Sequence, residues 1–176
     1  MSMQSASIEG PKILNAQSIY ASQIVEFYNK VGGETEYLSF GQDEYPQSAE
    51  EIADSIEDMK ESHGNCMLLM MDGEEIVGIG TIDSSSKSRF RHVGTLGIVM
   101  SQSHAGKGLG RVLMNALIDW SKDNGQTKKV TLVTRADNER AIALYVSLGF
   151  EREGLFRKDS YDGGTYYDSL SMALFL

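Results

Sequence analysis

Residues 104–110, HAGKGLG, set glycines at positions 106, 108 and 110 immediately before an apolar run with helical spacing. Leu109, Val112, Leu113, Ala116, Leu117 and Trp120 keep a 3.6-residue period and Gly125 stands where a C-terminal cap belongs, so a long helix begins as the glycines end. A backbone that bends through these glycines into a helix leaves several N–H groups without acceptors and lets an anion approach them closely. The stretch therefore predicts a phosphate cradle, with tight packing of a strand on a helix as the purely structural alternative. Two common phosphate readers are excluded by spacing. The third glycine of G-x-G-x-x-G falls on Arg111 counted from Gly106 and on Leu113 counted from Gly108, and no Lys-Ser or Lys-Thr follows to complete a P-loop.

Upstream, RFRHVGTLGIVM (89–100) reads as a strand entering the turn, and CMLLMM (66–71), Asp72-Gly73 and EEIVGIGTID (74–83) read as a hairpin whose Asp-Gly supplies positive φ angles. PKILNA (11–16) predicts a first strand. A helix from about residue 18 to 31 spaces Ile24, Phe27, Tyr28 and Val31 along one stripe before Gly32-Gly33. A second helix opens at Ser48, with Glu51 completing a capping box and Ile52, Ile56 and Met59 on its inner face. Downstream come a β-branched strand, KVTLVT (129–134), and a helix from about Asn138 to Leu148 that Gly149 ends. Asp162-Gly163-Gly164 predicts the turn of a closing hairpin.

The segment NERAIALYVSLGFEREG (138–154) puts Ala141, Leu144, Tyr145 and Leu148 on one helical face, which turns Tyr145 toward the sheet. Together, AGKGLGR with its leucine-rich helix and, after a strand, Asn138-x-x-Ala-x-x-Leu-Tyr145-x-x-x-Gly-Phe150 resemble the GCN5-related N-acetyltransferases, the GNAT superfamily. The likeness runs from about residue 66 to the end and includes Tyr167-Asp168 and Met172. It implies an α/β (α+β) fold: a mixed, mostly antiparallel central sheet flanked by helices, with a splayed strand pair that binds acyl-CoA. It also implies one N-acetyltransferase domain over residues 1–176.

The resemblance implies that acetyl-CoA, the acetyl donor, rests its pyrophosphate on the backbone of Ala105, Gly106, Lys107, Gly108, Leu109, Gly110 and Arg111. It assigns main-chain contacts with the pantetheine arm and acetyl carbonyl to Ile98, Val99 and Met100, and a side-chain contact with that arm to Asn138. Tyr145 takes the place beside the cofactor sulfur. The chemistry agrees: an amine attacking a thioester expels a thiolate whose conjugate acid has a pKa of ~8.5, and a phenol at ~10 holds its proton ready for it. The bland alternative is a ring that fills the core. Ala105 stands where such proteins usually carry Gln or Arg; His104 beside it either replaces that contact or is an exposed loop histidine. Glu36, His92 and Glu153 are the candidates for the acceptor site or general base, each with an ordinary surface role as its alternative.

With 176 residues, 41% hydrophobic, the chain is expected to form one globular domain. A formal net charge of −9 argues against a nucleic-acid partner and suits an amine acceptor that is cationic or neutral. Ten carboxylates lie between Glu34 and Glu61, read either as a solvated helix face or as a field that gathers an amine. No apolar run reaches the ~20 residues of a membrane span and the N-terminus lacks the regions of a secretory signal, so a cytoplasmic protein is expected. The single Cys66, in an apolar run, excludes an internal disulfide and reads as an inert thiol before a nucleophile; the three histidines show no metal-ligand spacing. The resemblance allows a homodimer. A non-catalytic acyl-CoA-binding sensor is the rival to the enzyme, and a plain nucleotide-phosphate binder a distant third.

Overall fold

Turn chemistry and alternation build the sheet. The computed structural model describes residues 10–176. Its strands are β1 (Lys12–Asn15), β2 (Cys66–Asp72), β3 (Glu75–Ser84), β4 (Val93–Met100), β5 (Lys129–Arg135), β6 (Glu151–Asp162) and β7 (Thr165–Phe175). They form one sheet in the order β1-β2-β3-β4-β5-β7-β6, antiparallel throughout except where β4 meets β5. The β6–β7 turn is Gly163-Gly164, both at positive φ (54° and 87°), as a two-residue hairpin loop requires. In the β2–β3 turn the positive φ falls on Gly73 alone (61°), because Asp72 is already paired with Glu75. The strand expected from residue 89 begins only at Val93: the N–H groups of Phe90 and Arg91 both bond the Lys87 carbonyl, so residues 87–91 form a turn.

Among the described residues four α-helices cover the two faces: α1 (Ala21–Gly32), α2 (Ala49–Lys60), α3 (Leu109–Asp123) and α4 (Glu139–Ser147). The helix expected from residue 18 starts with a 3-10 turn, Ser18–Tyr20, before α1 proper. On α2 the Ser48 hydroxyl accepts the Glu51 N–H while the Glu51 carboxylate accepts the Ser48 N–H, the reciprocal box the sequence announces. Each helix pair buries its own core. One layer joins Leu113, Met114 and Leu117 of α3 and Tyr145 of α4 to Leu68, Leu96, Val130 and Leu132; the other joins Ile24, Val31, Ile52 and Ile56 to Leu69, Met71 and Ile79. A fully buried side chain of this kind contributes about 1.5–3 kcal/mol. The close seat of α3 depends on Gly80, where a Cβ would meet Leu117 Cδ1 at 2.6 Å.

Two strand pairings decide the site. β4 stays paired with β3 from Gly94 to Met100 and β5 with β7 along its whole length, yet β4 and β5 pair only at Val93–Lys129, Gly94–Val130 and Thr95–Thr131. Beyond Thr95 and Thr131 they part, each held by its outer neighbour, and an open wedge remains.

Candidate active site

Backbone alternation fixes what faces the wedge. The Ser101 N–H bonds the Val77 carbonyl on the β3 side, so two-residue alternation turns the main-chain groups of Met100 and Ile98 to the opposite side. Val99, paired with Ile79, directs its main chain to β3 and its side chain to the α1–α2 core. Across the gap, the Ala136 N–H bonds the Asp168 carbonyl, and the same alternation aims the groups of Val133 and Arg135 into the wedge. Of the three strand residues drawn from the sequence, Ile98 and Met100 therefore present N–H and C=O groups there, and Val99 does not.

The glycine turn sits at the tip of β4. Gly106 and Gly108 both lie at positive φ (80° and 79°), and Gly108 caps α3 with no side-chain acceptor. The Ala105 N–H is bonded to the Gln102 carbonyl, and Val112 is the first helical residue to bond back, to Gly108. The N–H groups from Gly106 to Arg111 thus have no acceptor among the described residues, a ready cradle for a diphosphate at a helix N-terminus. Gly110 has an ordinary φ and room for a side chain: a Cβ there would make ordinary contacts, 3.8 Å from Met100 and 3.9 Å from Leu144. Arg111 is tied to α4 by Nη2 donating to Ser147 Oγ at 2.8 Å. One cation escaped the sequence reading. The Arg140 guanidinium lies 3.7 Å from where a Cβ on Gly106 would be, beside the cradle; its place two residues after the Asn138 cap was the available signal.

His104 is not the exposed loop histidine that was one of its two readings. Its Nε2 contacts Asp72 Oδ2 at 3.0 Å, its Nδ1 contacts Ser103 Oγ at 2.9 Å, and its side chain is 14% exposed, so it pins the turn to the β2–β3 hairpin. Asn138 caps α4: its Oδ1 accepts the Ala141 N–H and its Nδ2 donates to Thr134 Oγ1, both at 3.4 Å. At that length the bonds are weak and exchange readily for a ligand.

Tyr145 shares its core layer with Ile98 and Met100, its ring tilted against Phe150 at 6.0 Å. Burial raises its pKa above the ordinary 10.0. The hydroxyl has no hydrogen-bond partner among the described residues, and no buried side-chain polar atom is left unpaired there, so the tip of an otherwise buried ring reaches open space. Cys66 is buried, and burial pushes its thiol up to about 12, which disfavours the nucleophilic thiolate.

On the α1–α2 side a cleft of about 1030 Å³ reaches the β5 lip, Val133–Arg135. Its other walls are the α1–α2 loop and a stretch of β6, Asp159–Asp162. A bulge at 157–159 turns that stretch inward; Lys158, at φ 52°, donates its N–H to Asp168 Oδ1 at 2.8 Å. Glu34, Glu36, Glu44, Asp159 and Asp162 line the cleft, and Arg135 is the sole basic residue in its lining among the described residues. The acidic stretch thus divides: Glu34, Glu36 and Glu44 meet the cleft, while the carboxylates of α2 lie on its solvated face.

Of the three base candidates only Glu36 is at this cleft. His92 precedes the closed end of the strand pair, roughly 25 Å from Met100 by strand rise. Glu153 is ion-paired at 2.7 Å with Lys129, where β5 first meets β4. Among the described residues no group of three or more His, Cys, Asp or Glu is placed to hold a metal, and no helix is long and apolar enough to cross a membrane.

Residues 25–150 match the model of the acetyltransferase (GNAT) family. The L-amino acid N-acetyltransferase AaaT of Escherichia coli is 31% identical over 107 residues, 61% of this chain and 65% of that enzyme; the match thus spans less than two thirds of that relative. An acetyltransferase of the GNAT family from Streptococcus pneumoniae superposes with a TM-score of 0.91 at 28% identity, covering 94% of this chain and 99% of that one. The yncA protein of Salmonella typhimurium, solved with its cofactor acetyl-CoA, has the same fold, with a TM-score of 0.83 at 22% identity over 96% of this chain and 95% of that one.

Proposed function

The chain belongs to the acetyltransferase (GNAT) family, and from that premise we propose that it transfers the acetyl group of acetyl-CoA to a primary amine by direct attack in a ternary complex. The acceptor is a small molecule or a protein or peptide N-terminus. The observation that carries the reading is the parting of β4 and β5 just where the acceptor-free N–H groups of the glycine turn and the Tyr145 layer converge.

In this reading the diphosphate of acetyl-CoA lies on the amides of Gly106–Arg111, with Lys107, Arg111 and Arg140 at its rim, and its arm enters the wedge. The N–H of Ile98 or Met100 meets the carbonyl oxygen as charge gathers on it. The amine nitrogen bonds to the carbonyl carbon and sheds a proton, the C–S bond breaks, and the departing sulfur takes the phenol proton of Tyr145, which solvent then restores. No covalent enzyme intermediate is needed, in keeping with the protonated state of Cys66.

We take the acceptor to be cationic. Five carboxylates against one guanidinium in the cleft lining favour an ammonium group, and that guanidinium is already engaged by Asp137. We also read the chain as a single transferase domain in the cytoplasm, where a lone thiol stays reduced. A homodimer extends the proposal: β6 is one of the two edge strands of the sheet, with Leu155 and Phe156 about half exposed. A monomer mass at micromolar concentration removes that extension.

The test is release of CoA thiol from acetyl-CoA in the presence of spermidine, L-amino acids and peptides with free N-termini. Amine-dependent release, with a product 42 mass units heavier than the acceptor, is the expected result. Binding of CoA by calorimetry with no release on any amine would return the protein to a sensor and remove the proposal.

A further inference from the structure

Residues 34–37 form a strap across the mouth of the wedge, tied at both lips. At the β4 lip, Glu34 Oε2 accepts the N–H of Gln102, two residues past Met100, at 2.7 Å. At the β5 lip, Arg135 Nη1 donates to the Glu36 carbonyl at 3.2 Å. The same guanidinium lies 4.9 Å from the ring of Tyr37 and 3.6 Å from that of Tyr167, while Asp137 holds its other edge. The strap is a wall of the cleft that ends on Val133–Arg135.

We propose that Glu34 is the catalytic base, taking the proton of the acceptor's ammonium group; this rests on the acetyltransferase reading above. His92 and Glu153 lie at the closed end of the strand pair, and Glu36 is held by its carbonyl while its carboxylate is exposed and without a hydrogen-bond partner among the described residues. Glu34 differs on each count. It is partly buried, one carboxylate oxygen is fixed by the Gln102 N–H, and no basic side chain among the described residues pairs with it. Its second oxygen is left for the acceptor. The protonated amine binds as a cation against this carboxylate and gives it one proton. The freed lone pair bonds to the acetyl carbon as the C–S bond breaks, and the second N–H proton leaves to solvent after transfer.

Glu34→Gln separates the charge from the tie, because the amide oxygen still accepts the Gln102 N–H. The experiment measures CoA release by the full chain with acetyl-CoA and spermidine, or L-phenylalanine where that is the faster acceptor, from pH 6 to pH 10. Wild-type kcat/KM for the amine should vary little with pH where the ammonium form dominates. Glu34→Gln should fall about 10²-fold at pH 7 and regain about tenfold per pH unit, since only free amine then reacts. Its KM for acetyl-CoA should not change. Glu34→Asp, keeping a carboxylate with a shorter reach, should restore the flat profile at a reduced rate. The proposal is overturned if Glu34→Gln matches wild type at every pH while Glu34→Ala is impaired, because Glu34 is then only a tie. If wild type itself releases no CoA with any amine, the acetyltransferase reading falls first and this assignment with it.

Discussion

On the α3–α4 side of the sheet, the parts assigned to acetyl-CoA are main-chain groups set by glycines and by a strand that leaves its neighbour, locked by a dense core. On the α1–α2 side, the cleft proposed for the acceptor is closed by a few side-chain ties between residues far apart in sequence, Glu34 to Gln102 and Arg135 to Glu36 and Tyr37. The contrast implies a division of labour. A donor site built of backbone has little freedom to change its ligand, whereas a loop held by two ties can be re-cut for a new amine without disturbing the core.

Kinetic dissection can break that contrast. The largest effect belongs to Tyr145→Phe, which keeps the buried ring and removes the proton donor: turnover should drop about 10²-fold, with acetyl-CoA affinity by calorimetry within about twofold of wild type. Because burial raises the Tyr145 pKa above 10.0, the phenol keeps its proton through the assay range, and no loss of turnover below pH ~10 should trace to its ionisation. Next is Gly108→Ala. A Cβ has open space there, yet φ is 79°, so the cost is conformational, about 1–2 kcal/mol, and acetyl-CoA binding should weaken about tenfold. Gly110→Ala, at ordinary φ, should stay within about twofold.

Arg135→Lys sharpens the contrast from the other side. Lysine keeps the charge but loses the fork to Asp137 and the flat contact with both tyrosine rings, so the acceptor KM should rise about fivefold while that for acetyl-CoA holds. Equal changes in both constants would mean that the two sides are not separable. Smallest of all is Glu75→Gln. It removes an exposed ion pair with Lys30 at 3.0 Å and should move the free energy of unfolding by less than ~0.5 kcal/mol in urea denaturation.

The same contrast explains what the sequence could tell. Helical stripes, the Ser48–Glu51 box and the Gly163-Gly164 turn are local, and each is visible within a few residues. The glycine turn was legible because positive φ at 106 and 108 restricts the residue type. The wedge was not legible from periodicity, since strand divergence depends on outer partners far along the chain, and only the family resemblance pointed to it. Glu34 and Arg135 carry no local signature at all. Their partners lie 68 and 99 residues away, so predicted loop and strand positions led instead to Glu36, His92 and Glu153, two of which the fold carries to the closed end of the strand pair.

In the proposed complex, backbone amides at the tip of β4 hold the diphosphate of acetyl-CoA while its sulfur lies beside a phenol. A crystal structure with acetyl-CoA bound decides this. Diphosphate oxygens are expected within ~3.2 Å of N–H groups between Gly106 and Arg111, with the arm between β4 and β5 and the sulfur next to Tyr145. A diphosphate bound away from that turn, or a Tyr145 hydroxyl facing away from the sulfur, would contradict it.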